Sequence, residues 1–61
     1  MHDRILRRPD VEARTGLSRS TIYLLMARGE FPKPVKLSSR AVGWTESAIV
    51  TWLQSREQSL Y

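Results

Sequence analysis

Apolar positions along the chain change period twice. Ile22, Leu25 and Met26 stand at i, i+3 and i+4, one stripe of an amphipathic helix. Between 35 and 44 the period drops to two: Val35 and Leu37 alternate around Lys36, and Val42 and Trp44 around Gly43. That pattern predicts two short strands joined by the polar tip Ser38-Ser39-Arg40-Ala41. Helical spacing returns with Ile49, Trp52 and Leu53, the inner face of a helix over about 46 to 58 that Thr45 caps and Leu60 can extend.

Local signals place the remaining boundaries. "RILRR" reads as a short strand or an extended arm with Ile5 or Leu6 inward. Pro9 suits the first position of a helix over about 9 to 15, where its missing N–H costs nothing. Asp10 and Glu12 add negative charge at that helix's positive end. Gly16 stops it, since glycine tolerates the positive φ that turns one helix sharply into another. Ser18 then caps a helix over 18 to 28, its hydroxyl accepting from the N–H of Ser20 or Thr21, with Leu17 packed beside the stripe. Gly29 and Pro32 end it. The predicted order is helix, tight turn, helix, two-stranded hairpin, helix: a mainly α chain with a small β-hairpin. With no repeat or linker in 61 residues, a single domain over 1–61 is expected, ordered over about 4–58.

The outward face of the second helix is unusual. Ser20, Tyr23, Leu24 and Ala27 occupy it, where a solvated helix carries Lys and Glu. Two short helices joined through a glycine turn are the helix-turn-helix pattern, whose second helix enters the DNA major groove. Small side chains allow close approach to base edges, and the flanking Arg19 and Arg28 can reach phosphates or a guanine. Leu24 or Ala27 fits a thymine methyl, and the Tyr23 hydroxyl fits a phosphate.

Charge agrees with that reading. The net charge is +4, but residues 1–40 hold nine basic and four acidic residues, net +5, whereas 41–61 are net −1. Such asymmetry predicts a polyanionic partner, and double-stranded DNA ranks above a membrane because no basic helix has a bulky apolar face. The absence of cysteine excludes disulfides, thiolate metal sites and cysteine nucleophiles. His2 has no second ligand near it, and scattered acids offer no catalytic pair, so neither an enzyme, a cofactor, a metal nor a small-molecule ligand is expected. "MHDRILRRPD" has no apolar run for a signal peptide, and no span of about 18 apolar residues exists, which makes the cytosol the expected compartment.

Nearly the whole stretch from "RILRRPDVEARTGLSRSTIY" to "WTESAIVTWL" resembles the AlpA family of small phage and prophage regulators, most specifically in "TGLSRSTIY", "GEFPKPVKL" and "RAVGW". The resemblance implies a compact winged helix-turn-helix of the MerR and excisionase kind, acting as a transcriptional activator or repressor, commonly of integrase or excision genes. By position it makes residues 16–23 the turn and start of the recognition helix, and 35–44 the wing with Arg40 near its tip. The family often has a basic or polar residue where this chain has Leu24, so a base methyl or a second copy replaces a phosphate as its partner.

The candidate DNA-binding residues are therefore Ser18, Arg19, Ser20, Tyr23, Leu24, Arg28, Lys36, Ser39 and Arg40. Each has a structural alternative: Ser18 as a cap, Tyr23 lying over the core edge, Arg28 neutralising a helix end. Arg7 and Arg8 are equally placed for a neighbouring phosphate or for solvent, while Trp44 and Trp52 read as core. A footprint this small calls for a homodimer or cooperative copies on DNA, with Val50, Gln54 and Glu57 on the third helix as contacts. Two rival functions remain at this stage: an excisionase that bends DNA for an integrase, and a protein-binding adaptor or anti-repressor using Leu24 and Ala27.

Overall fold

A computed structural model of the chain describes residues 3–57, and the side chain of Glu57 lies outside that description. The expectations for His2, Gln58 and Leu60 fall outside it too. The order is β1 (Ile5–Leu6), α1 (Arg8–Thr15), α2 (Arg19–Ala27), β2 (Val35–Ser38), β3 (Ala41–Thr45) and α3 (Glu46–Glu57).

"RILRR" takes the strand alternative. β1 pairs antiparallel with β3, Ile5 opposite Thr45 and Leu6 opposite Trp44, which makes a three-stranded sheet in the order β1-β3-β2. Because paired residues share a face and neighbours alternate, Leu6 and Trp44 look toward the helices while Ile5 looks away. Leu6, Val11, Ile22, Phe31, Trp44 and Ile49 form the buried core, with Leu17, Leu25, Met26, Trp52 and Leu53 packed around it. Each of its fully buried large side chains contributes on the order of 1.5–3 kcal/mol relative to exposure. Phe31, which no periodicity singles out, sits between the two tryptophans, edge-on at 6.2 Å from Trp44 and 4.8 Å from Trp52. Both indoles donate to the loop that carries it: Trp44 Nε1 to the Pro32 carbonyl at 2.9 Å, Trp52 Nε1 to the Glu30 carbonyl at 2.8 Å.

Two boundaries are corrected. α1 begins at Arg8, with Pro9 second and not first. Arg7 is the extended cap residue, and the Asp10 carboxylate accepts from its N–H at 3.2 Å, winding the first turn around Arg8. The hairpin tip is the two-residue turn Ser39-Arg40 and not four residues, because Ser38 pairs with Ala41 across an irregularity between Lys36 and Ser38. The N-terminus of α3 is held from two sides. Thr45 Oγ1 accepts from Ala48 N–H at 3.3 Å, as expected, and Asp3 Oδ1 accepts from Ser47 N–H at 3.1 Å.

Gly43 marks the tightest point of the sheet. A Cβ there would lie 2.6 Å from Ile5 Cγ2 and 3.0 Å from the Leu6 carbonyl oxygen. Glycine is what allows β1 to lie against β3 at this place.

Candidate nucleic-acid interface

The turn between α1 and α2 is built from local hydrogen bonds. Gly16 adopts φ 74°, and its N–H donates to the Glu12 carbonyl at 2.8 Å. Thr15 Oγ1 donates to the Val11 carbonyl at 2.8 Å and accepts from Leu17 N–H at 3.2 Å. Ser18 caps α2 by accepting from Thr21 N–H at 3.3 Å, and its hydroxyl lies 3.0 Å from that of Thr21. These bonds fix the angle at which α2 leaves α1, and hence which face it buries.

Ile22 is fully buried, and Leu25 and Met26 half so, which leaves Ser20, Tyr23, Leu24 and Ala27 exposed on the opposite side. Tyr23 and Leu24 keep 43% and 51% of their surface in solvent, too much for core residues. Arg19, the first helical residue, holds its guanidinium 5.7 Å over the Tyr23 ring, a cation–π contact that orients both groups. α2 contains no acidic residue. Arg28 is exposed at the other end of α2, about 13 Å along the axis from Arg19 at 1.5 Å per residue.

The wing extends this surface. Lys36, Ser39 and Arg40 are exposed on β2 and the turn, and the Arg40 N–H donates to Ser38 Oγ at 3.3 Å, which shapes the tip. Lys36 stands opposite Val42, on the same face of the sheet. Tyr23 and Arg40 meet in one cleft of about 340 Å³ lined by Arg7, Arg8, Pro9, Tyr23, Arg40 and Val42. Ser18, Arg19, Ser20, Leu24, Arg28, Lys36 and Ser39 lie outside its lining. Arg7 and Arg8, which the sequence places equally well for a neighbouring phosphate or for solvent, are set beside the wing by the folded chain. Among the described residues, Arg8 pairs with Glu12 at 2.9 Å and Arg14 pairs with Glu46, while no carboxylate pairs with Arg7, Arg19 or Arg40. Trp44 is buried in the core, and Trp52 is half-buried with Arg56 4.8 Å over its ring.

On α3, Val50 and Gln54 are exposed. Among the described residues no helix is long and apolar enough to cross a membrane.

A glycine-turned helix pair, an antiparallel hairpin beside the second helix and a third helix closing the core constitute a winged helix-turn-helix. The sequence profile of the family described as "Prophage CP4-57 regulatory protein (AlpA)" matches residues 4–57, and this chain belongs to that family. It is 46% identical over 54 residues to the uncharacterized protein ORF88 of Enterobacteria phage P4, an alignment that covers 88% of this chain and 61% of the phage protein. It is also 41% identical over 59 residues to the DNA-binding transcriptional activator AlpA of Escherichia coli strain K12, covering 87% of this chain and 84% of that protein.

Proposed function

We propose that this chain is a sequence-specific DNA-binding transcriptional regulator of the AlpA type that acts in the bacterial cytosol on phage or mobile-element genes. Residues 18–28 lie in the major groove, with Arg19 and Ser20 toward base edges, Leu24 against a base methyl, Tyr23 at the groove's margin with its hydroxyl at a phosphate, and Ser18 and Arg28 at phosphates. Lys36, Ser39 and Arg40 lie on the backbone or in the adjacent minor groove.

The observation that carries the reading is the exposed face of α2, free of acids and bordered by Arg19, with the basic wing beside it. A helix about 10–12 Å across matches a major groove about 12 Å wide, and the small Ser20 and Ala27 on the outward face allow close approach to base edges. The name of the K12 relative is in keeping with this function.

One such module covers about 600–1,000 Å², so useful specificity calls for two or more copies on repeated half-sites. Selection from random duplexes tests the reading: a recovered consensus with regularly spaced half-sites is the expected outcome. Arg19→Ala should then relax preference at one position and cost about 1–3 kcal/mol. Recovery of no consensus, or equal weakening on every sequence, would refute base reading by α2. Strong bending with excision activity and no promoter effect would assign the protein to excision instead. Salt-insensitive partner capture without DNA affinity would assign it to the adaptor class.

A further inference from the structure

Arg7 precedes α1, Arg8 opens it, Tyr23 lies on α2 and Arg40 lies in the wing turn, yet all four line one concavity. No acid lines it. Asp10, the nearest acid in sequence, is turned to the Arg7 backbone N–H, and Glu12 offsets only Arg8. Gathering guanidinium groups from separate elements around one hollow costs free energy by mutual repulsion. An anion seated among them removes that cost, and guanidinium forks match the oxygens of a phosphate. The positive end of α1 adds to the same field, and the Tyr23 hydroxyl supplies a further donor.

We propose that this cleft clamps one phosphodiester group of the DNA backbone, with Arg7 and Arg40 on either side of it and Tyr23 donating from α2. The proposal rests on the DNA-binding reading above and adds to it the particular phosphate at which recognition helix, wing and α1 converge. The cleft adjoins the open face of α2 through Tyr23, so a duplex whose major groove receives α2 brings a flanking strand past it. Phosphate contacts of this kind set register and orientation without reading sequence.

The test replaces each backbone phosphate of the selected duplex in turn by an uncharged methylphosphonate. The unmodified chain should lose about tenfold or more in affinity at one position assigned to the cleft, as expected for a charge-assisted hydrogen bond. Arg7→Ala/Arg40→Ala should be insensitive at that position alone. Its slope of log affinity against log salt should be shallower by about 0.9, one phosphate's worth, although two charges were removed. A slope shallower by about 1.8, or an interference pattern identical to that of the unmodified chain, would overturn the single-phosphate clamp while leaving DNA binding intact. No binding of any duplex by the unmodified chain would overturn the DNA reading and the clamp together.

A second measurement needs no DNA. Inorganic phosphate, added against chloride at matched ionic strength, should shift the side-chain Nε–H resonances of Arg7 and Arg40 together while Arg14 and Arg56 stay in place. Equal shifts at all four arginines would overturn the site. Both substituted residues are exposed, and a thermal melt of the variant checks that it is folded.

Discussion

Gly43→Ala is the most informative single perturbation of the scaffold. The added Cβ would stand 2.6 Å from Ile5 Cγ2, 3.0 Å from the Leu6 carbonyl oxygen and 3.3 Å from Leu37 Cδ1. Carbon contacts are comfortable at about 3.5–4.0 Å. Ile5 Cγ2 is a branch on Cβ that yields only by a χ1 turn, whereas Leu37, 43% exposed, can swing its Cδ1 outward. The Leu6 carbonyl cannot, because it belongs to the backbone of a residue that is 1% exposed and paired with Trp44. Overpacking of this kind costs about 1–3 kcal/mol, offset in part by the roughly 0.4–1 kcal/mol gained when alanine restricts the unfolded chain. A net loss of about 1–2 kcal/mol is large for a 61-residue chain, whose total stability is about 3–9 kcal/mol at 0.05–0.15 per residue.

The assay is urea unfolding followed by the fluorescence of Trp44 and Trp52, both packed against Phe31. The expected result is a lower midpoint, and a Tm lower by about 4–8 °C per kcal/mol. Ile5→Ala/Gly43→Ala should recover part of the loss, because the Ile5 clash disappears and the carbonyl contact stays. The substitution has a second consequence. Pushing β1 off β3 moves Arg7 and Arg8 away from Tyr23 and Arg40, so duplex affinity should fall even at temperatures where the variant is folded. A variant as stable as the original, with amides of β1 equally protected from exchange, would refute the close approach of β1 and β3.

Other outcomes follow from the same geometry. Ser18→Ala removes the cap of α2 and should cost about 0.5–2 kcal/mol in thermal or urea unfolding. Trp44→Phe leaves the Pro32 carbonyl without its donor and opens a void in the core, a loss of at least about 1 kcal/mol in thermal unfolding followed by circular dichroism, which does not depend on the removed fluorophore. With about five phosphate contacts, log affinity against log salt should slope between about −4 and −5, and a slope near zero would contradict the electrostatic argument. Leu24→Ala should leave stability within about 0.5 kcal/mol, since half of Leu24 is in solvent. In the selection experiment the same change should weaken any preference for thymine at one position.

The chain's order of residues alone determined the features that depend on neighbours three or four positions apart. Gly16 at positive φ, Ser18 as cap, the stripe Ile22-Leu25-Met26 and the two alternating runs of the hairpin all express short-range sterics and hydrogen bonds. That made the helix-turn-helix, the face of α2 left open and the position of the wing legible before folding. The hairpin tip is shorter than the alternation implies because Ser38 pairs with Ala41 across a local irregularity after Lys36 that no sequence signal marks.

Tertiary structure decided everything that joins distant segments. Strand pairing set Ile5 and Leu6 against Thr45 and Trp44 when the local pattern allowed an arm equally well. Asp3 reached the amide of Ser47, and Trp52 found the Glu30 carbonyl, partners with no periodic signature. The cleft that gathers Arg7, Arg8, Tyr23 and Arg40 belongs to the same group. Periodicity reports which side of an element is apolar, whereas the meeting of charged groups from several elements follows from how those apolar sides pack together.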